Sequence, residues 1–141
     1  MTYHLDTSAC VDYLRRPDSH VRTWMTATSR ELIFISSITK AELLLGVQKK
    51  PSERNRRTLE TFLAIVGSIP FDDAAAGEYA KIRADLEQKG RIISGNDMLI
   101  AAVALTHGAT LVTGNMKEFE RISSLTCISL ESLIPPGKTS L

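Results

Sequence analysis

Apolar stretches along this chain are short, and each is broken by polar residues at intervals that suit alternating strands and helices. Tyr3–Asp6 is a strand candidate that must stop at the polar run Asp6, Thr7, Ser8. Residues 22–28 suit a helix, and the segment ELIFIS, ending at Ser36, predicts a second strand. A helix is predicted from Ser37 or Thr39 through Glu42 and three consecutive leucines, weakening at Gly46. Pro51 and Ser52 open a longer helix in which Leu59, Phe62, Leu63 and Val66 recur at helical spacing. Gly67–Phe71 is a weak third strand, and Ala74–Lys89 an amphipathic helix stopped by Gly90. The run DMLIAAVALT, Asp97–Thr106, is apolar nearly all round and therefore predicts a buried helix. Gly108 closes it, ATLVT gives a strand ending at Thr113, and TCISL at 126–130 gives the last one.

Short apolar strands separated by helices predict a single α/β domain, a mostly parallel sheet covered on both faces. The expected domain spans residues 3–134, with 135–141 (PPGKTSL) as a short flexible C-terminal tail. In open parallel sheets the working crevice lies beyond the carboxyl ends of the strands, where strand order switches. The polar residues just after each strand are therefore the ones to question.

Composition narrows the field. The chain has 141 residues, and 17 Lys and Arg against 16 Asp and Glu leave a formal charge of +1, which excludes a strongly basic nucleic-acid coat. Cys10 and Cys127 match no zinc spacing and no disulfide framework, which favours a reducing, cytoplasmic setting. No apolar run approaches the length of a membrane span, and the N-terminus lacks a signal core, so no membrane partner is expected. His4, His20 and His107 show no ligand spacing and are read as structural.

Three acids stand out at the strand ends. Asp6 sits where the first strand stops, a place that equally suits a helix cap. Glu42 is embedded in the most apolar helix start of the chain, where an exposed face backed by leucines is the plain alternative. Asp97 introduces an otherwise apolar helix, whose dipole it would complement. A parallel fold gathers all three at one edge of the sheet. Two carboxylates roughly 4 Å apart repel by about 4 kcal/mol at an effective dielectric of about 20. A hard divalent cation removes that penalty, and Mg²⁺ takes one or two carboxylates while keeping several waters. Such a site activates water against a phosphodiester.

The motifs LDTS, SSITKAELLLG, GNDMLIAA and LVTGNMKEFERI, in that order, resemble a PIN domain, and more narrowly the VapC ribonuclease toxins of bacterial VapBC toxin–antitoxin pairs. The similarity runs from Tyr3 to about Leu130. It implies an α/β/α sandwich and a Mg²⁺-dependent endoribonuclease, with Mn²⁺ as a substitute. The family's motif acids fall on Asp6 and Asp97 as direct metal contacts, and on Glu42 acting through water or at a second metal position. Many PIN domains carry a fourth acid where this chain has Asn115; the VapC pattern that shares this departure points to Glu118 as a further acid. Thr7, Ser8 and Thr113 match polar positions that orient acids or phosphate. The resemblance further implies an RNA substrate, with the initiator tRNA anticodon stem-loop as leading candidate. A VapB-type antitoxin is the implied partner, with self-association as a homodimer or a toxin–antitoxin hetero-oligomer. Tyr13, Leu14, Leu44, Leu45 and Val47 are candidates for a groove that receives the antitoxin. Arg56 and Arg57, within a basic cluster that includes Lys49, Lys50 and Arg54, are the candidates for RNA-backbone contact, so neutralising them is expected to flatten the salt dependence of RNA binding.

Three alternatives compete with this reading. A haloacid-dehalogenase-like phosphatase needs a second Asp where Ser8 stands, and a response-regulator receiver needs paired acids after the first strand and a late Lys; neither pattern is present. A catalytically inactive PIN-like domain that binds RNA or a partner without cutting is kept alive by Asn115.

Overall fold

Five short strands form one sheet: β1 (Tyr3–Leu5), β2 (Ile33–Ser36), β3 (Gly67–Ile69), β4 (Thr110–Thr113) and β5 (Cys127–Ser129). Their order is β3-β2-β1-β4-β5, and every neighbouring pair is parallel, in register from Tyr3 opposite both Ile33 and Thr110. This is a computed structural model, which describes residues 1–133; the expected 135–141 tail and the end of the expected domain at 134 lie outside the described residues. Seven α-helices connect and cover the strands: α1 (Thr7–Arg15), α2 (His20–Thr26), α3 (Ser37–Lys49), α4 (Glu53–Ile65), α5 (Asp73–Gln88), α6 (Gly95–Thr106) and the single turn α7 (Met116–Phe119).

The pleat of the strands sorts the core into two layers. In β4, Leu111 joins the cluster made with α5, α6 and α7, whereas its neighbour Val112 joins the cluster made with α1, α2 and α4. Leu86, Met98 and Phe119 fill the first, and Val21, Trp24 and Phe62 the second. Fully burying one such side chain contributes about 1.5–3 kcal/mol, so both faces of the sheet are held by apolar contact. α6 presents apolar residues all round because it lies between the sheet and α5, with Ala101, Ala102 and Val103 fully buried. His4 on β1 is buried, and burial, reinforced by the charge of His107, lowers its pKa to about 4, so it is neutral and structural.

Most departures from the sequence-based boundaries come from capping. Ser94 caps α6 by accepting from the Asp97 N–H, so the helix begins at Gly95 and Asp97 lies inside its first turn. Asp72 caps α5 in the same way through Ala75, and β3 ends at Ile69, short of the expected Phe71. α3 continues through Gly46 to Lys49. Helix α1 was not anticipated, because its buried face is carried by the small residues Ala9 and Cys10. α7 is too short for any periodicity to show. Cys10 and Cys127 are both free thiols, and among the described residues no helix is long and apolar enough to cross a membrane.

Candidate active site

Strand order switches between β1 and β4: from β1 the chain builds outward to β2 and β3 on one side, then returns to lay β4 and β5 on the other. The backbone is tied across this switch by the Asp6 N–H, which donates to Val112 O at 3.1 Å. Asp6 follows β1 directly and is 3% exposed. It is both a helix cap and a site residue. Its Oδ1 accepts the Ala9 N–H at 2.8 Å and the Ser8 hydroxyl at 2.7 Å, while Oδ2 accepts the Thr113 hydroxyl.

The same two hydroxyls hold the loop after β4. Ser8 Oγ accepts the Gly114 N–H at 2.9 Å, and Thr113 Oγ1 accepts the Asn115 N–H at 2.8 Å. Gly114 permits this approach, since a Cβ there would stand 3.3 Å from Ser8 Oγ and 3.2 Å from Leu130 Cδ1. Asn115 occupies the cap position of α7, which carries Glu118; its carbonyl accepts from the Glu118 and Phe119 N–H groups. Glu118 in turn pairs with Arg121 at 3.7 Å.

Glu42 reaches the site from α3. Thr7 Oγ1 donates to its Oε1 at 2.5 Å, and Asn96 Nδ2 to its Oε2 at 3.4 Å, so α1 and α6 both grip one carboxylate. Asn96 and the fully buried Thr39, whose hydroxyl lies 3.5 Å from that of Thr7 and 3.4 Å from that of Ser36, are additions that the structure makes to the site. A signal existed for Asn96, which directly precedes Asp97 in a motif whose Met98 and Ile100 are buried.

Electrostatics links these carboxylates into one group. Burial holds Asp6 above the ordinary carboxylate range; Thr113, Ser8 and the Ala9 N–H pull it down, and the charge of Asp97 pushes it up again. Asp97 is also raised, by burial first and then by Glu42 and Glu118, against the Ser94 hydroxyl. Asp97 is thus the acid that links the group, acting on Asp6 and acted on by Glu42 and Glu118. Among the described residues no three or more His, Cys, Asp or Glu side chains are gathered tightly enough to enclose an ion. The donors that Asp6, Asp97 and Glu42 offer are all carboxylate oxygens, the ligand type of hard divalent cations that keep much of their water shell.

A cleft of about 700 Å³ opens at Glu42, with Thr7 and Glu42 in its wall and α1, α3 and α4 around it. Leu14 and Val47, two of the groove candidates, line it; Leu44 and Leu45 point elsewhere and are 45% and 53% exposed, and Tyr13 packs on Phe62. Arg56 and Arg57 stand apart from this cleft. Both are exposed on the outer face of α4, Arg56 paired with Glu53 and Glu60 and Arg57 with Glu53, and neither lines the cleft. Helical periodicity is the reason: Arg54, Asn55, Thr58 and Leu59 share the inward face, and the next two residues after Asn55 turn away from it.

The chain matches the PIN domain family over residues 3–125. It is 44% identical over 127 residues to Ribonuclease VapC2 of Rickettsia felis, covering 89% of this chain and 95% of that protein. It is 33% identical over 126 residues to the tRNA(fMet)-specific endonuclease VapC of Shigella flexneri, again 89% of this chain and 95% of that one. Among solved structures, VapBC2 from Rickettsia felis bound to a DNA fragment from their promoter superposes with a TM-score of 0.83 at 41% identity, covering 92% of this chain and 98% of that chain. The five-stranded parallel sheet, the acids at its switch point and these likenesses agree: the chain belongs to the PIN domain family, in its VapC ribonuclease branch.

Proposed function

We propose that this protein is the toxin of a VapBC-type pair and hydrolyses RNA phosphodiester bonds with the help of a divalent cation, Mg²⁺ or in its place Mn²⁺. The observation that carries this is the gathering of acids at the strand-order switch: Asp6 and Asp97 are raised, by burial first and then by neighbouring acids, and Glu42 opens on the cleft. Such mutual repulsion at a switch point is relieved by a cation. Asp6 and Asp97 would hold the ion, and Glu42 would sit at the edge of its water shell. When bound, the ion supplies Lewis-acid polarisation of the phosphoryl oxygens and stabilises the leaving oxygen.

The remaining chemistry belongs to the chain's own side chains. Thr7 and Asn96 fix both oxygens of Glu42, so that it presents a lone pair to the attacking water and takes its proton. Thr113 and Ser8 hold Asp6 and tie it to the Asn115 loop, which carries Glu118 within electrostatic reach of Asp97. Asn115 adds a neutral donor and acceptor in place of a further charge.

A tRNA, with the initiator anticodon stem-loop as first candidate, is supported as substrate by the relatives bearing that specificity in their names. A VapB-type antitoxin partner is supported by the neighbouring VapBC complexes, and a cytoplasmic setting by two free cysteines. Purified, antitoxin-free protein incubated with total bacterial tRNA and Mg²⁺ is expected to yield discrete fragments whose ends map to an anticodon loop. Intact tRNA in the presence of either metal would instead favour the non-cutting alternative that Asn115 suggests.

A further inference from the structure

We propose that the cleft beside the acids is a track for RNA phosphates, held by Arg15, Arg22, Lys50 and Arg54; this rests on the ribonuclease reading above. Apart from Glu42 at its acidic end, the charged lining of the cleft consists of these four cations. Charge is sorted across the surface. Arg16, Arg56 and Arg57, neighbours in sequence, are ion-paired with Asp12, Glu53 and Glu60, whereas the four cleft cations make no ion pair among the described residues.

Arg22 is the anchor. Its guanidinium lies 4.3 Å from the centre of the Tyr13 ring and donates to the Tyr13 carbonyl, which immobilises it. Its buried Nε–H has no partner among the described residues. A phosphate oxygen matches a guanidinium fork held in place in this way.

Physical need points the same way. Four carboxylates around the reaction point repel the polyanion that must enter, and a formal charge of +1 gives no long-range attraction to offset it. Cations must therefore lie where the flanking phosphates lie, and the cleft that opens on Glu42 and Thr7 provides them. An acidic protein segment is the competing occupant, and the test separates the two.

Binding of a labelled RNA hairpin is followed by fluorescence anisotropy across a KCl series, in EDTA and in an Asp97→Asn background so that nothing is cut. Adding Lys50→Ala with Arg54→Ala, both exposed positions that carry no packing, is expected to reduce the slope of log K against log salt by about 1.4–1.8, or about 0.7–0.9 per lost phosphate contact. Arg56→Ala with Arg57→Ala is expected to leave the slope unchanged. Equal slopes in both pairs would overturn the proposal. So would loss of binding to a poly-glutamate peptide with RNA binding retained, which would assign the cleft to an acidic protein. If the Asp97→Asn protein binds no RNA even when Mg²⁺ replaces EDTA, the ribonuclease reading itself fails, a result distinct from a failed track.

Discussion

Thr113→Val removes one hydroxyl from the centre of the site and changes almost nothing else. Thr113 is fully buried, and valine has nearly its shape, so packing is preserved. What is lost is the O–H donated to Asp6 Oδ2 and the acceptor for the Asn115 N–H. Asn115 is exposed and water can replace its partner, so the Asp6 bond dominates. A hydrogen bond to a charged group contributes about 1.5–3 kcal/mol net, against about 0.5–1.5 kcal/mol for a neutral one. With a urea m-value of about 2 kcal/mol/M, the unfolding midpoint should fall by about 1 M in EDTA at about pH 8.

The pH dependence makes the test specific. Burial raises Asp6 in the folded state, so the folded protein holds that proton more tightly than the unfolded chain. Stability from this group is complete below the ordinary value of 3.8 and is lost as pH rises through the folded-state value. Thr113 reduces that loss, and its removal pushes the Asp6 carboxyl higher still. The gap between parent and variant should be widest near pH 8 and shrink toward the neutral-bond figure as the solution is acidified. A gap that stays constant with pH would mean that only packing was lost. No gap at all would mean that the hydroxyl does not bind Asp6.

Related reasoning gives three further expectations. Asp6→Asn keeps a good helix cap and removes a buried charge, so in EDTA it should melt above the parent near pH 8 and converge with it in acid; a lower melting temperature at pH 8 would contradict the burial argument. Asn96→Ala, at an exposed position, should lower the cleavage rate about three- to tenfold through loss of one Glu42 contact while leaving thermal stability unchanged; unchanged kcat would remove Asn96 from the positioning of Glu42. Gly67→Ala should destabilise by about 1–3 kcal/mol, because its Cβ would sit 2.7 Å from Phe34 Cδ1; wild-type stability in urea would show that the Phe34 ring moves aside freely.

The alternation of strand and helix patterns was enough to read a parallel sheet, because each strand is short, apolar and closed by a polar residue. Asp6, Glu42 and Asp97 were legible for the same reason: a charge where the pattern demands burial has to be explained. α1 escaped because alanine and cysteine bury its inner face without the bulky spacing that marks amphipathic helices. Which residues of the basic run turn toward the cleft was not legible, because that depends on the rotation of α4 set by Leu59 and Phe62 in the core. The grip of Thr7 and Asn96 on Glu42 joins residues 35 and 54 positions apart, a relation only the packed helices create.

Cleavage of tRNA by the purified protein, compared with its Asp97→Asn variant and run in Mg²⁺ against EDTA, tests the metal-assisted nuclease most directly. Discrete fragments that require both the ion and Asp97 are the predicted result. Cutting that continues in EDTA or in the Asp97→Asn protein, with the fold verified by circular dichroism, would contradict a mechanism built on these acids.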